Sequence, residues 1–172
     1  MRDGVLFINK PKGMTSRDVV NQISRIFETK KVGHTGTLDP LATGVLIICV
    51  GKYTKLVDEL TSKEKEYQAT MRLGIKTDTL DITGKCLATK KVTVSSKQIA
   101  EVFIKFPHEY MQTVPLYSAV KINGKKLYEY ARANEEVLLP KRKVTIENLQ
   151  LLKIDIPEIT FKTTVSKGTY IR

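Results

Sequence analysis

A glycine-rich stretch with one histidine and one aspartate, GHTGTLDPLATG, contains the residue types of an active-site loop. It runs from Gly33 to Gly44. Glycines permit positive φ angles and close approach of a ligand to the backbone, and a carboxylate such as Asp39 can serve as a nucleophile or a general base. Asp before Pro is also typical of a helix start, with Asp39 as N-cap and Pro40 at the first helical position. The local pattern favours the cap and leaves the catalytic carboxylate as the alternative.

Other ligand-binding motifs do not fit the spacing. The glycines from Gly44 to Gly51 do not match GxxxxGK[ST], and the turn-like segment 78–84 lacks the ligand spacing of an EF-hand. With two histidines and two cysteines in the chain, no zinc site can be assembled. We therefore expect neither a metal nor a cofactor.

The charge balance indicates a polyanionic partner. Lys and Arg number 29 against 18 Asp and Glu, a net charge of +11, and nucleic acid is the commonest cellular polyanion. The most basic and tyrosine-rich segment, Met111 to Lys143, has the mixture of aromatic faces and cations that suits looped RNA, although charge runs are usually solvated surfaces. The cations predicted to contact the RNA backbone are Lys121, Lys125, Lys126, Arg132, Lys141, Arg142 and Lys143.

Cysteine usage and hydropathy indicate the compartment. Cys49 lies in an apolar run and Cys86 stands alone, which is typical of a reducing environment. The longest apolar run, Val45 to Val50, is too short to cross a bilayer, and VLFI near the start is too short for a signal peptide. We expect a cytoplasmic protein without membrane contact.

Strands and helices that do not alternate regularly predict an α+β fold around a mixed, largely antiparallel sheet flanked by helices. VLFINK, VLIICVG and the alternating KEYQATMRLGI read as strands, the second of them buried on both faces. A helix capped by Thr15 and Asp18 is expected, with Val19, Val20, Ile23, Ile26 and Phe27 on one face. A second helix, starting at Ser95 or Ser96, is expected to bury Ile99, Val102, Phe103 and Phe106.

Several motifs resemble one family when taken in order. They are VLFINKPKGMTSRDVV, GHTGTLDPLATGVLIICVGKYTK, KEYQATMRLG, LYSAVKINGKKLYEYARAN and SKGTYIR. Together they resemble the bacterial tRNA pseudouridine-55 synthases, the TruB family, from about Val5 to Arg172. The resemblance implies the pseudouridine synthase catalytic fold and isomerisation of a flipped uridine in the T-loop of tRNA.

The resemblance also implies the roles of individual residues. Asp39 corresponds to the essential aspartate, and His34 to a loop histidine that meets the RNA near the flipped nucleotide. Tyr67 corresponds to a tyrosine that stacks on the target uracil. In the TYIR motif, Tyr170 lies against the substrate and Arg172 pairs with the catalytic aspartate.

Two further segments receive roles by resemblance. Lys10 and Pro11 match a motif that supports the active-site loop, and we count Lys10 with the substrate-binding residues. The segment from about 111 to 143 is similar to a mobile thumb that closes over the T-loop arm. We expect a monomer whose partner is tRNA.

The chemistry agrees with these roles. Uridine must leave its stack before the N1–C1′ bond can break and a C5–C1′ bond can form. Attack on C1′, attack on C6 and removal of the 2′ proton through a glycal all remain open for Asp39, and an arginine partner would keep its carboxylate ionised.

The resemblance has one departure. Family members continue beyond the TYIR motif with more catalytic domain and usually a small C-terminal RNA-binding domain. We therefore expect residues 1–172 to be a partial catalytic domain that binds RNA weakly and turns over poorly. A non-catalytic RNA-binding or RNA-folding module and a guide-RNA-dependent relative remain alternatives.

Overall fold

The computed structural model describes residues 3–172. The chain forms two compact units, one ending at Lys63 and one running from Glu64 to Arg172. Four α-helices and several sheets are present, and every strand pairing within residues 3–172 is antiparallel. The predicted α+β class with a largely antiparallel sheet is confirmed.

The first unit is a three-stranded sheet with two α-helices. Its sheet has the order β1-β3-β2, so that β3 lies in the middle. The elements are β1 (Gly4–Lys10), α1 (Ser16–Ile26), β2 (Val32–His34), β3 (Gly44–Val50), a 3₁₀ helix (Gly51–Leu56) and α2 (Val57–Thr61).

The central position of β3 explains its apolar sequence. Ile48, Cys49 and Val50 have no solvent exposure, as expected of a strand paired on both edges and packed against a helix. Val45, at the start of the strand, is largely exposed, so the prediction of burial on both faces is correct only for its second half.

Helix α1 begins where the sequence predicts. The Thr15 hydroxyl accepts a hydrogen bond from the Asp18 N–H at 3.1 Å, and the Asp18 carboxylate accepts one from the Thr15 N–H at 2.8 Å. Val19, Val20 and Ile23 are buried against the sheet as expected. Ile26, the last residue of the helix, is 72% exposed although the sequence places it on the apolar face.

The second unit is built on a four-stranded sheet with the order β4-β11-β10-β7, and it also has two two-stranded sheets, β5-β6 and β8-β9. Its elements are β4 (Lys65–Arg72), β5 (Ile75–Thr77), β6 (Cys86–Thr89), α3 (Ser96–Ile104), β7 (Glu109–Thr113), β8 (Lys121–Ile122), β9 (Lys125–Lys126), α4 (Leu127–Ala133), β10 (Lys141–Asp155) and β11 (Glu158–Val165).

Helix α3 is capped by Ser95 as predicted, but its apolar face is only partly covered. Ile99 is buried, and the Phe103 ring meets Phe161 of the sheet edge-to-face at 5.8 Å. Val102 and Phe106 are exposed, so their predicted burial is wrong. Both line an open apolar cavity of about 490 Å³ between α3 and the four-stranded sheet.

Within residues 3–172, no helix combines the length and apolar character that crossing a membrane requires.

Candidate active site

Asp39 lies half-buried in the loop between β2 and β3. The loop contains no helix, only a turn in which the Ala42 N–H donates to the Asp39 carbonyl at 3.0 Å. The prediction that Asp39 caps a helix is therefore wrong. The reason is length, because β3 already begins at Gly44, whose φ of +122° suits glycine.

The backbone on both sides of Asp39 is fixed to the segment from Lys10 to Ser16. The Ser16 hydroxyl accepts a hydrogen bond from the Leu38 N–H at 2.9 Å and donates to the Leu38 carbonyl at 3.3 Å. The Gly13 N–H donates to the Pro40 carbonyl at 2.7 Å. The residues immediately before and after Asp39 are thus both held in place.

Lys10, at the end of β1, has no solvent exposure. Its ammonium donates to the carbonyls of Met14 at 2.7 Å and Pro11 at 3.0 Å, which shapes the turn that carries Gly13. Burial lowers the pKa of Lys10, while the negative charge of Asp39 acts in the opposite direction. Lys10 and Asp39 are therefore close enough for their charges to interact.

His34 is the last residue of β2 and pairs with Ile48 of β3. Burial lowers its pKa below the ordinary histidine value, and the charge of Arg17 lowers it further, while a backbone hydrogen bond with Gly36 opposes the change. The imidazole is therefore neutral at pH 7. Its Nδ1 atom is buried and has no hydrogen-bond partner among residues 3–172.

The two predicted tyrosines belong to the second unit. Tyr67 lies half-buried on β4, opposite Thr163 of β11. Tyr170 is held through its backbone, since its N–H donates to the Gln112 amide oxygen and its carbonyl accepts from the Gln112 amide nitrogen, both at 2.9 Å. Tyr170 and Ile171 also line the apolar cavity.

Arg172 forms an ion pair with a residue that the sequence analysis did not select. Its guanidinium lies 3.2 Å from the Asp81 carboxylate, with the two side chains only 11% and 12% exposed, and it donates to the Thr79 carbonyl at 3.3 Å. Asp81 also accepts hydrogen bonds from the Thr79 hydroxyl at 2.8 Å and the Thr83 N–H at 2.9 Å.

These contacts control the charge of Asp81. Burial raises the pKa of its carboxyl, but the hydrogen bonds from Thr83 and Thr79 and the charge of Arg172 outweigh burial, so that the pKa is lowered. From the sequence alone, residues 78–84 are predicted only as a turn. The available signal was the pattern Thr79-Leu-Asp81-Ile-Thr83, which places a hydroxyl two residues to each side of a carboxylate.

The structure groups the predicted site residues within each unit. Lys10, His34 and Asp39 belong to the first unit, whereas Tyr67, Tyr170 and Arg172 belong to the second. The pairing of Arg172 with Asp39 stays a prediction.

Part of the predicted basic segment forms a hairpin and a short helix. Strands β8 and β9 are joined at Asn123 and Gly124, whose φ angles of 50° and 80° make a turn with two left-handed residues. Lys125 lies 4.6 Å from the centre of the Tyr130 ring. The centre of the Tyr128 ring lies 5.3 Å from Lys126 and 5.2 Å from Arg132.

The ends of the same segment belong to the four-stranded sheet. Residues 141–143 pair with 111–113. The Lys143 ammonium lies 2.6 Å from the Glu109 carboxylate, and this hydrogen bond lowers the pKa of Glu109. The Arg142 guanidinium packs against Gly168, where a Cβ would come within 2.7 Å of it. Some of the predicted RNA-contacting cations therefore have protein partners, while Lys121 is exposed on β8.

No group of three His, Cys, Asp or Glu side chains that could hold a metal ion occurs within the described part of the chain.

Comparison with known proteins identifies the class. The model of the TruB family pseudouridylate synthases, N-terminal domain, matches residues 24–171. The chain belongs to this family of RNA-modifying synthases, the TruB pseudouridylate synthases.

Curated relatives extend beyond this chain. It is 49% identical over 170 residues to tRNA pseudouridine synthase B of Clostridium kluyveri and 51% identical to that of Clostridium acetobutylicum. In both cases the match covers 99% of this chain and 59% of the relative, so the chain spans about three-fifths of the relatives' length. The synthase B of Burkholderia mallei is 46% identical over the same 170 residues.

Solved structures show the same fold. A crystal structure of a Cbf5-Nop10-Gar1 complex contains a chain that is 32% identical, with a TM-score of 0.73, covering 98% of this chain and 41% of that one. A chain in an H/ACA RNP bound to a substrate RNA containing 2′-deoxyuridine is 28% identical, with a TM-score of 0.68, covering 98% of this chain and 39% of that one.

Proposed function

We propose that this chain carries the catalytic residues of a tRNA pseudouridine synthase that isomerises uridine 55 in the T-loop, with Asp39 as the catalytic carboxylate. One observation carries the proposal: Asp39 lies in a glycine-rich loop whose backbone is tied down on both sides of it, in a member of the TruB family. The tRNA substrate is favoured over a guide-RNA system because identity to the tRNA pseudouridine synthase B relatives exceeds identity to the Cbf5 chain.

The proposed reaction is a balanced isomerisation. The N1–C1′ bond of uridine breaks, a C5–C1′ bond forms, C5 loses its proton and N1 gains one. The uracil must turn between these steps, so it has to be extruded from the RNA stack into an enclosed site. Asp39 would act on C1′, on C6 or on the 2′ proton, and each of these roles requires an ionised carboxylate.

The other predicted residues complete the proposal. Tyr67 offers an aromatic face on which the extruded uracil can stack, and Tyr170 lies against the substrate. His34 meets the RNA near the flipped nucleotide. Arg172 supplies positive charge to Asp39, and the segment 111–143 acts as a thumb on the T-loop arm.

We also propose that the protein works as a monomer in the cytoplasm. The absence of a membrane-spanning helix within residues 3–172 is consistent with this location. The mass of the protein in solution, measured by light scattering with and without tRNA, tests the oligomeric state, and a dimer would contradict it.

The direct test of the function is Asp39→Asn, which keeps the size of the side chain and removes its charge. With unmodified tRNA, we expect pseudouridine formation at the T-loop to fall by about 10³-fold or more. We expect tRNA affinity to stay within about twofold, because the carboxylate acts on the reacting atoms rather than on the rest of the tRNA.

The matched control is Asp58→Asn, an exposed aspartate on α2 of the same unit, which should leave both quantities unchanged. Equal loss of product and affinity in Asp39→Asn would count against catalysis by this residue. Salt-sensitive tRNA binding with no isomerisation by any form of the protein would support a non-catalytic RNA-binding module.

A further inference from the structure

We propose that Ser16 is a positioning residue for Asp39, which it orients through the backbone of Leu38. The inference rests on the proposed function, because a positioning role has meaning only if Asp39 is the catalytic carboxylate. Neither the composition nor the spacing of the motifs singles out this serine.

The contact between Ser16 and Leu38 has an unusual form. One hydroxyl, on a residue only 2% exposed, binds both backbone groups of a residue 22 positions later in the chain. Because backbone N–H and carbonyl groups each need a hydrogen-bond partner, the serine satisfies one donor and one acceptor of Leu38. The residue held in this way is the one that directly precedes Asp39.

Ser16 itself is firmly anchored. It is the first residue of α1, whose amino end is fixed by the Thr15–Asp18 capping box and whose inner face packs into the core through Val19 and Val20. A hydroxyl on a packed helix defines position more accurately than one on a loop.

A second contact fixes the other side of the aspartate. The Gly13 N–H donates to the Pro40 carbonyl, and Gly13 has a φ of +92°, which glycine adopts without strain. The Asp39 carbonyl accepts from Ala42. With the residues on both sides tied to one segment, the direction of the Asp39 Cα–Cβ bond is set before any substrate arrives.

The functional consequence follows from the demands of the chemistry. A reacting group that moves by about 1 Å loses a large part of its rate, of order 100-fold. Removing the Ser16 hydroxyl frees one of the two ties while leaving the side chain of Asp39 intact. We therefore expect Ser16→Ala to lower kcat by about 10- to 100-fold with little change in KM for tRNA.

The experiment compares three variants of the full 172-residue chain with the unaltered protein. They are Ser16→Ala, Asp39→Asn, and Ser24→Ala as the matched control. Ser24 lies on the same helix, and the described residues show no hydrogen bond to its hydroxyl. Steady-state kinetics on unmodified tRNA gives kcat and KM, and Ser24→Ala should match the unaltered protein.

Two NMR measurements report position directly. Hydrogen exchange at the Leu38 amide should accelerate in Ser16→Ala, while amides of β3 keep their protection. Because the charge of Asp39 raises the pKa of Lys10, the pKa of the Lys10 ammonium should fall in Asp39→Asn and move part of the way in Ser16→Ala. Removing a serine that only stabilised the fold would leave the pKa of the Lys10 ammonium unchanged.

The outcomes separate the inference from the function on which it rests. An active Asp39→Asn would overturn the proposed function. An inactive Asp39→Asn together with unchanged kcat, Leu38 exchange and Lys10 titration in Ser16→Ala would overturn only the positioning role. If the unaltered chain gives no measurable product, the two NMR measurements test the positioning role on their own. Leu38 amide exchange and a Lys10 pKa that are both unchanged in Ser16→Ala would refute the inference.

Discussion

Two aspartates of this protein are held by different means. The backbone on both sides of Asp39 is held by hydrogen bonds to Leu38 and Pro40. Asp81 is oriented through its side chain, which accepts hydrogen bonds from two threonines and faces Arg172. The first arrangement fixes the backbone beside the carboxylate that we propose to be catalytic, whereas the second uses a carboxylate to hold an arginine.

Because the Asp81–Arg172 pair is buried, Asp81→Asn should strongly reduce the stability of the fold. The neutral amide removes the ion pair with Arg172, and breaking a buried ion pair costs about 3–5 kcal/mol of unfolding free energy. Asp155→Asn is the control, because Asp155 pairs with Lys153 at 2.8 Å on an exposed surface and should give a far smaller loss. Urea denaturation measures the loss of unfolding free energy in each variant. Equal losses in Asp81→Asn and Asp155→Asn would contradict a special role for the buried pair.

The buried imidazole of His34 predicts a specific pH dependence. Its pKa in the folded chain lies below the value of about 6.5 expected for the unfolded chain. As pH falls below about 6.5, the unfolded chain takes up a proton before the folded one does, so stability present above that pH is progressively lost. His34→Gln should reduce this loss.

The free energy of unfolding at pH 7.5 and at pH 5.5 provides the measurement. His108→Gln serves as the control for loss of an imidazole in the other unit. If the free energy of unfolding falls equally between pH 7.5 and pH 5.5 in the unaltered protein and in His34→Gln, His34 does not cause the loss.

Among the helices and strands, a feature can be predicted from the sequence when its cause lies within a few residues of it. The starts of α1 and α3 were predicted correctly because a capping box involves residues only three apart. Burial of Val102 and Phe106 is predicted wrongly because helix periodicity shows which residues share a face, not what covers that face.

The candidate site shows the same difference between features with a local cause and features that depend on distant parts of the chain. The glycine-rich loop identified Asp39 as a candidate, but the contact of Ser16 with Leu38 joins residues that no local pattern connects. Asp81 was missed because its partner, Arg172, is 91 positions away in the chain, that is 172 − 81. Long-range hydrogen bonds of this kind require a structure.

The β8–β9 hairpin makes a prediction about RNA binding. Gly124 has a φ of +80° with nothing near the position of a Cβ, so Gly124→Ala should cost about 1–2 kcal/mol through backbone strain alone. Loosening the hairpin should also weaken tRNA binding through Lys121 and Lys125.

The control for this substitution is Gly4→Ala in β1, where a Cβ also meets nothing within 4 Å and φ lies outside the left-handed region. It should leave stability and binding nearly unchanged. Thermal unfolding and a filter-binding assay test both variants, and equal effects would contradict the role of backbone strain.

For the whole molecule, the charge of +11 predicts tRNA binding that weakens steeply with salt. Not every cation should contribute equally. Lys121 is exposed and forms no ion pair among the described residues, so Lys121→Ala should reduce the slope of log K against log salt by roughly 0.7 to 0.9. Lys143 already faces Glu109 at 2.6 Å, and Lys143→Ala should change the slope less.

Titrations from 50 to 300 mM salt measure the two slopes. Equal changes would mean that the ion pair with Glu109 opens when RNA binds.

The open apolar cavity beside α3 has a consequence for handling the protein. Its exposed lining attracts other apolar surfaces, while the positive charge keeps molecules apart over a Debye length of about 10 Å at 0.1 M salt and about 3 Å at 1 M. Colloidal stability therefore depends on low ionic strength. Salt that is predicted to weaken RNA binding to the basic surface also screens the repulsion between protein molecules. At high salt, the molecules can then associate through the apolar cavity lining.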